Sequence, residues 1–293
     1  MHLLTVLAAL LSVVFASGSL LDNVSLEQQL FVLDQKINIL YNSIKSQCPT
    51  YVDKRSYVSK PSKPVDITVA NEVYKKLNQK LIDCKRWIEG KQVKDCQEYY
   101  DKGERNSGVY KIRPSNTTIH EFSIWCDFFD GHGWTVFQRR ENGSVSFDMP
   151  WYAYKKGFGN LDGEYWLGND KLHLLTQTNP ILNIYLEVPE KAPAYGTWQE
   201  FYVGDELDKY KLSVNGAEYN GTLPEDLSHH DGAYFSTFDR FNGGWGDCAG
   251  FYGGGWWYID ANYCGYVHNS YSGMLWTGYA PRTTASIMRV TRD

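Results

Sequence analysis

The fold of this chain is decided by the stretch GWTVFQRR, which runs from Gly133 to Arg140. Its centre, Trp134 to Phe137, mixes aromatic and β-branched side chains, as strands do. Leu182 to Leu186 repeats this composition, and Gly, Asn and Asp residues separate such runs as turns. Trp151–Tyr154 and Asp170–Leu175 have the pattern of short helices. From residue 95 onward we therefore predict an α+β domain that contains much irregular loop.

Two segments ahead of this domain carry apolar residues at alternating spacings of four and three, which is the a/d pattern of a coiled coil. The first seam contains Leu26, Leu30, Leu33, Ile37, Leu40 and Ile44, and the second contains Ala70, Tyr74, Leu77, Leu81, Cys84 and Ile88. Prolines at positions 49, 61 and 64 indicate a linker between them. We predict a coiled-coil helix over residues 18–48, a linker over 49–65 and a second helical, coiled-coil segment over 66–94.

The two cysteines of this stalk (residues 18–94) leave two arrangements open. Cys84 lies on the second apolar seam, so a coiled coil would place it near its copy in a partner chain. Alternatively, Cys48 and Cys84 form a bridge within one chain that folds as a helical hairpin. In either case we predict that the stalk assembles a homo-oligomer; in the first arrangement Cys48 or Cys84 is the candidate for a disulfide link between chains.

The N-terminal segment and the cysteine count indicate the extracellular space. An apolar run from Leu3 to Phe15, followed by the small residues Ala16 and Ser17, predicts a signal peptide over residues 1–17. Six cysteines, an even number, are typical of a disulfide-bonded secreted protein. Because no later stretch has the length and apolar character of a membrane span, we expect no membrane insertion. Four sequons fit a secreted glycoprotein, at Asn23, Asn116, Asn142 and Asn220.

Charge and motifs argue against two classes of function. Residues 18–94 contain 13 Lys/Arg and 8 Asp/Glu, whereas residues 95–293 contain 16 and 26, and an acidic body of this kind repels the phosphates of nucleic acids. The motifs of nucleophile elbows, zinc-protease helices and phosphate loops do not occur in the sequence. His229 and His230 are adjacent and therefore point apart, which makes a poor metal clamp. We predict a non-enzymatic protein without catalytic residues and without a nucleic-acid partner.

Several ordered blocks of the chain resemble the fibrinogen C-terminal domain. They are Cys126–Phe128, Gly133–Arg140, Asn142–Phe147, Gly157–Asn160, Gly163–Asn169, Phe235–Asp239, Cys248–Ala249 and Gly254–Tyr258. The resemblance covers residues 95–293 and implies a globular α+β domain with an antiparallel sheet and a loop-rich binding lobe in its C-terminal third. It also implies two disulfides, Cys96–Cys126 and Cys248–Cys264. The expected architecture is a fibrinogen C-terminal globular domain preceded by an α-helical coiled-coil stalk.

The resemblance implies a calcium loop as well, in which an Asp-x-Asp pair and nearby carbonyls supply the hard oxygen ligands that Ca²⁺ needs. Asp239 occupies the first carboxylate position, but Phe241 occupies the second and cannot coordinate a cation. A remaining calcium site would use Asp239 and Asp247 with carbonyls near Gly243 and Trp245. Ca²⁺ is therefore a candidate cofactor for a degraded site, and a loop without calcium is the alternative.

In lectin-like members of that family, an acetyl group enters an aromatic pocket beside the second disulfide. By order and spacing, Tyr252 and Tyr279 match two walls of this pocket, and Tyr271 is a looser match. Cys264 stands three residues beyond its usual place, which we expect to reshape the backbone that would donate to the acetyl carbonyl. The alternative is that these tyrosines only pack the lobe. The predicted ligand-binding residues are Tyr252, Tyr263, Cys264, Gly265, Tyr271 and Tyr279.

These expectations combine into competing hypotheses of function. The first is a secreted lectin of innate immunity that binds acetylated sugars on microbial or cell surfaces, with carbohydrate or a cell-surface glycoprotein as its partner. The second is a protein ligand for a receptor or an extracellular-matrix partner, without a working sugar site; the altered calcium pair and the displaced Cys264 favour it. A third, structural hypothesis is an extracellular cross-linker in which the stalk is the working part.

Overall fold

The computed structural model describes residues 26–47, 67–114, 121–178, 180–243, 246–260, 264–270, 272–279 and 283–292. The chain divides into two compact units, Met1–Lys91 and Gln92–Asp293. The predicted signal peptide and the predicted linker lie outside the described residues. Within the described parts of the chain, no helix combines the length and the apolar character that crossing a bilayer requires.

The described residues of the first unit form two helices, α1 (Leu26–Gln47) and α2 (Ile67–Lys91). Their apolar seams pack against each other within one chain and form a buried cluster of Leu40, Ile44, Leu77 and Leu81. Cys84 is buried and disulfide-bonded, whereas Cys48 lies outside the described residues. The homo-oligomer and the pairing of Cys48 with Cys84 therefore stay predictions.

The second unit is built on an antiparallel sheet of nine strands. These strands are β1 (Gly108–Ile112), β2 (Phe122–Phe129), β3 (His132–Arg140), β4 (Phe158–Gly159), β5 (Tyr165–Trp166), β6 (Ile181–Glu187), β7 (Ala194–Trp198), β10 (Asn220–Gly221) and β13 (Ala285–Thr291). Seven of them follow the spatial order β1-β2-β3-β13-β6-β7-β10, and β5 pairs with both β3 and β4. β13 thus lies in the middle of the sheet, between β3 and β6.

Two further hairpins and five short helical segments lie among the described residues of the second unit. The hairpins pair β8 (Glu200–Val203) with β9 (Leu212–Asn215), and β11 (Val267–Ser270) with β12 (Gly273–Trp276). The helical segments are α3 (Cys96–Asp101), α4 (Trp151–Lys156), α5 (Asn169–Leu175), α6 (Cys248–Tyr252) and a 3₁₀ turn over Leu227–His230. We call residues 236–284 the lobe, and residues 92–235 with 285–292 the sheet body.

The strands and helices predicted from residue composition lie inside these elements. Trp134–Phe137 belongs to β3 and Leu182–Leu186 to β6, while Trp151–Tyr154 and Asp170–Leu175 fall within α4 and α5. The α+β class is therefore confirmed. Both disulfides implied by the resemblance are also present: Cys96–Cys126 joins α3 to β2, and Cys248–Cys264 joins α6 to the segment before β11.

Much of the aromatic excess of the sequence fills the core. The fully buried tryptophans are Trp166, Trp198, Trp256, Trp257 and Trp276. Arg140, at the end of β3, is buried and connects the sheet to the lobe: its Nη1 donates to Oδ1 of Asn269 at 3.0 Å and to the carbonyl of Ser270 at 2.6 Å. Its guanidinium also lies over the ring of Phe147 at 4.1 Å. The β11–β12 hairpin is thereby anchored to the central sheet.

One buried carboxylate organises the turn that follows β3. Glu164 accepts hydrogen bonds from the backbone N–H groups of Glu141, Asn142, Gly143 and Val145 and from the hydroxyl of Ser144. Burial would raise the pKa of Glu164, but these donors stabilise the carboxylate and lower its pKa to about 2. The ionised form of Glu164 is therefore part of the folded structure of the sheet body.

Candidate functional site

The backbone beside the second disulfide has a conformation that few residues allow. Cys264 has a φ of 84° and Gly265 a φ of 115°. A Cβ on Gly265 would lie 2.2 Å from Cε1 of His230. Position 265 therefore requires glycine both for its dihedral angles and for its space. This close approach holds the start of β11 against the His230 ring.

His230 is the residue that fixes this segment. Its Nδ1 lies 2.8 Å from the carbonyl of Trp257, and its Nε2 lies 3.1 Å from the backbone nitrogens of both Tyr266 and Val267. Because Nε2 accepts two N–H groups, the ring is neutral and carries its proton on Nδ1. Burial disfavours the charged ring and lowers the pKa of His230 to about 4. The two N–H groups after Gly265 are thus satisfied within the protein.

A second buried histidine, His268, contacts Tyr252, one of the predicted pocket walls. The ring centroid of His268, on β11, lies 3.9 Å from that of Tyr252 and 5.8 Å from that of Tyr258. His268 is 1% exposed, and neither ring nitrogen has a hydrogen-bond partner among the described residues. Burial, and then the nearby His230, lower the pKa of His268 to about 4. The half-buried Tyr252 is therefore supported by a neutral ring.

Two of the predicted ligand-binding tyrosines, Tyr252 and Tyr279, lie among the described residues. Tyr252 lies on α6 one turn after Cys248, close to the disulfide. Tyr279 instead donates its hydroxyl to the carbonyl of Ala192 at 2.7 Å, and Lys191 lies over its ring at 5.1 Å. The rings of Tyr252 and Tyr279, both described, make no aromatic contact with each other. The two other predicted tyrosines, Tyr263 and Tyr271, lie outside the described residues.

Hydrogen bonds within the protein hold the predicted calcium loop. Oδ1 of Asp239 accepts the N–H of Trp151 at 2.8 Å and the hydroxyl of Thr237 at 2.7 Å. Asp247 caps α6, because its Oδ1 accepts the N–H of Gly250 at 2.8 Å. Both carboxylates that the sequence offers as ligands therefore have structural roles.

The remaining features of this loop agree with that arrangement. The carbonyl of Gly243 accepts the hydroxyl of Ser236 at 3.3 Å, and the side chain of Phe241 faces solvent. Trp245 lies outside the described residues. In the part of the chain that the structure describes, no group of three or more His, Cys, Asp or Glu side chains is placed to hold a metal. Oδ1 of Asp239 and Oδ1 of Asp247 are thus already bonded within the protein, and calcium binding by this loop stays a prediction.

Three phenylalanines of the lobe are exposed to solvent along one continuous segment of chain. Phe238 is 47% exposed, Phe241 is 59% exposed and Phe251 is 78% exposed. Two of them flank Asp239, and the third lies on α6 beside Tyr252, with ring centroids 4.9 Å apart. Large apolar side chains in contact with water are typical of surfaces that bind a partner when they occur together.

Two of the predicted glycosylation sites can be placed. Asn142 is exposed in the turn after β3, and Asn220 is exposed on β10. Asn23 and Asn116 lie outside the described residues. Occupancy by a glycan stays a prediction at each of the four positions.

Comparisons with known proteins place this architecture among relatives. The family model "Fibrinogen beta and gamma chains, C-terminal globular domain" matches residues 92–290. Fibroleukin of Homo sapiens is 41% identical over 194 residues, which are 62% of this chain and 44% of that protein. The chain spans about half the length of the first curated relatives that it matches.

Solved structures agree with the family model. The fibrinogen-like globe domain of human ANGPTL2 aligns with a TM-score of 0.62 and 32% identity, over 68% of this chain and 99% of that one. Lamprey fibrin D-dimer, in complex with the peptide Gly-His-Arg-Pro-amide, aligns with a TM-score of 0.62 and 26% identity, over 90% of this chain and 92% of that one.

Proposed function

The chain belongs to the family of the fibrinogen C-terminal globular domain, and on that premise we propose that it is a secreted recognition protein whose lobe binds a protein partner on a cell or matrix surface. The family comprises non-enzymatic recognition and ligand proteins. The observation that carries the proposal is the exposure of Phe238, Phe241 and Phe251 along one segment of the lobe. Aromatic residues are enriched in protein interfaces, where their burial supplies most of the binding free energy.

The backbone near the disulfide supports a protein partner over an acetylated sugar. An acetyl carbonyl needs a free N–H donor, but the N–H groups of Tyr266 and Val267 are bonded to His230. Tyr279, which would form a second pocket wall, is held at Lys191 and Ala192. Binding through exposed phenylalanine side chains needs neither feature.

The stalk would add affinity by joining copies of the lobe. The proposal includes a homo-oligomer, in which several weak sites on one assembly bind a surface together. Linked sites of this kind gain about a hundredfold or more in avidity when the geometry allows simultaneous contact. The partner surface would therefore be repetitive, as cell and matrix surfaces are.

The test compares the binding of labelled full-length protein to intact cells before and after enzymatic removal of cell-surface glycans. We expect binding to survive deglycosylation, and we expect the double variant Phe241→Ser/Phe251→Ser to lower the apparent affinity by at least about tenfold, as interface aromatics do. Val109→Ser removes an exposed apolar side chain from β1 and is the matched control. Binding that disappears with the glycans, or that the double variant leaves unchanged, would contradict the proposal.

A lectin for acetylated sugars is the second candidate, and the close contact of the Tyr252 ring with the His268 ring favours it. This pair presents a half-buried aromatic ring next to the Cys248–Cys264 disulfide, where the methyl of an acetyl group could pack. The same experiment separates the candidates when N-acetylglucosamine is added as a competitor. Inhibition by this sugar, together with loss of binding on deglycosylation, would favour the lectin.

A further inference from the structure

A groove of 810 Å³ crosses the outer face of the nine-stranded sheet and is lined by residues of the sheet body only. This volume falls within the range of about 300–1,000 Å³ that is common for ligand sites. Successive side chains of a strand point to opposite faces of the sheet, so one face packs on the core and the other lines the groove. In β6, Leu182, Ile184 and Leu186 are fully buried in the core, whereas Tyr185 points to the opposite face and lines the groove.

A row of polar residues runs along the floor of this groove from one strand to the next. Asn220 pairs with Thr197, Thr197 with Asn183, and Asn183 with Arg289 in the registers of β10, β7, β6 and β13. Nδ2 of Asn183 donates to Oγ1 of Thr197 at 3.0 Å, and Nε of Arg289 donates to Oδ1 of Asn183 at 2.9 Å. Arg289 also forms an ion pair with Asp127. Asn220 is the exposed end of this row.

Aromatic rings border the row. Tyr185 and Tyr195 are cross-strand partners, and Tyr195 is 42% exposed. At the other end of the groove the rings of Phe129 and Trp134 stack with centroids 6.0 Å apart. Planar polar groups between aromatic faces suit a sugar, because its hydroxyls form hydrogen bonds while its C–H faces pack on rings.

Asn220 is also the first residue of the sequon Asn220-Gly221-Thr222. We propose that Asn220 carries an N-linked glycan whose first sugars lie in this groove and cover the outer face of the sheet. The donor is an oligosaccharide activated as a lipid pyrophosphate in the secretory pathway. A bond forms between its anomeric carbon and Nδ2 of Asn220, the bond to the pyrophosphate oxygen breaks, and the amide nitrogen loses one proton.

The geometry explains why the occupant is the chain's own glycan. The attachment point lines the groove, so the sugars reach it without the entropy cost of a second molecule. Four strand spacings separate β10 from β3, a span of about 19 Å at ~4.8 Å per spacing. A few linked sugars cover such a span and would pass Thr197, Asn183 and Arg289 in turn. The glycan then protects an exposed aromatic face from self-association.

The test uses full-length protein secreted from eukaryotic cells and a peptide N-glycosidase under native conditions. Intact mass spectrometry is expected to show a glycan that disappears in Asn220→Gln. In folded protein, Tyr195→Ser is expected to raise the release rate at Asn220 on the order of tenfold, equivalent to about 1.4 kcal/mol of protection. Tyr195 is a suitable position because its side chain is partly exposed. The substitution also leaves intact the hydrogen bond from the backbone N–H of Tyr195 to Oγ1 of Thr222, since that bond does not involve the tyrosine side chain.

Asn142 supplies the control, because it is an exposed sequon outside the groove. Its release rate in folded protein should be the same with and without Tyr195→Ser. An unmodified Asn220 would overturn the proposal, and so would a release rate at Asn220 that Tyr195→Ser leaves unchanged. Binding of added chitobiose to the groove of the glycosylated wild type, detected by chemical-shift changes of Tyr185 and Tyr195, would also overturn it.

Discussion

The sheet body and the lobe keep their shapes by different means. In the sheet body, β13 forms hydrogen bonds with β3 on one side and β6 on the other, and most long strands share their support in this way. In the described residues of the lobe, regular structure is limited to α6 and the β11–β12 hairpin. Its backbone depends on the Cys248–Cys264 disulfide and on the hydrogen bonds of His230. The lobe should therefore be sensitive to a few residues, whereas the sheet body distributes its stability.

The largest expected effect that would test this contrast comes from Gly265→Ala. The new Cβ would lie 2.2 Å from His230, and the residue would keep a φ that only glycine adopts without strain. We expect the free energy of unfolding to fall by about 4 kcal/mol. Urea unfolding followed by tryptophan fluorescence measures this change, and hydrogen exchange would locate the loss of protection in residues 248–270.

Gly278→Ala is the matched control, because Gly278 also has a positive φ of 77° but has no atom within 4 Å of an added Cβ. This variant should cost about 1–2 kcal/mol, the strain of a left-handed residue alone. Equal losses in the two variants would show that the contact with His230 carries no stability.

Acid should loosen the lobe before the sheet body. His230 and His268 have pKa values lowered to about 4, so the unfolded chain takes up protons first as the pH falls below 6.5. Their contribution is complete above pH 6.5 and is lost as the pH falls toward 4, at about 3 kcal/mol for each histidine. Glu164 in the sheet body loses its contribution only between pH 4.5 and 2. Hydrogen exchange at pH 7, 5 and 3 would resolve the two stages.

His268→Phe tests the assignment of the first stage. The phenyl ring keeps an aromatic contact with Tyr252 and cannot be protonated, and His268 has no hydrogen-bond partner to lose among the described residues. We expect the variant to shift the opening of the lobe to lower pH and to leave the sheet body unchanged. Simultaneous opening of both regions in wild-type protein would argue against separate stages.

The smallest expected effect is that of calcium. Because Asp239 and Asp247 are engaged within the protein, the thermal midpoint should be the same in calcium and in EDTA. An ion bound at a hundredfold excess over its Kd would add about 2.7 kcal/mol, or roughly 5–10 °C for a domain of this size. Phe241→Asp restores the second carboxylate position, and a calcium-dependent shift in this variant alone would identify Phe241 as the cause. A shift in wild type would contradict the prediction.

The same contrast explains how much could be predicted from the sequence. Trp134–Phe137 and Leu182–Leu186 mark β3 and β6 because strand composition is local, and the family resemblance implied both disulfides of the second unit. His230 and His268 could not be assigned in this way. His230 binds backbone atoms 27 to 37 residues away, and the environment of His268 depends on a ring from another element.

In the candidate site, too, features set by neighbouring residues could be predicted, whereas contacts between distant parts of the chain could not. The position of Tyr252 close to Cys248 could be predicted, since both lie on one short helix, and its role in ligand binding stays a prediction. Tyr279 matched by spacing alone, and it contacts Lys191 and Ala192, which lie 88 and 87 residues earlier in the chain. The groove on the sheet has no sequence signal beyond the sequon at Asn220, because its row of polar residues is assembled from four strands.

Because β13 lies in the middle of the sheet but near the end of the chain, the sheet cannot be completed until almost the whole domain has been synthesised. Ser286 on β13 bonds Gln138 on β3, and 148 residues separate them. At ~5–20 residues per second, a ribosome needs roughly 7–30 s to make that interval. Until β13 is made, β3 and, once it has been synthesised, β6 each present an unpaired edge, the kind of surface that adds strands from other molecules. Nascent chains would therefore depend on chaperones until the sheet closes, and a premature stop before residue 285 would yield a product that aggregates rather than a smaller folded domain.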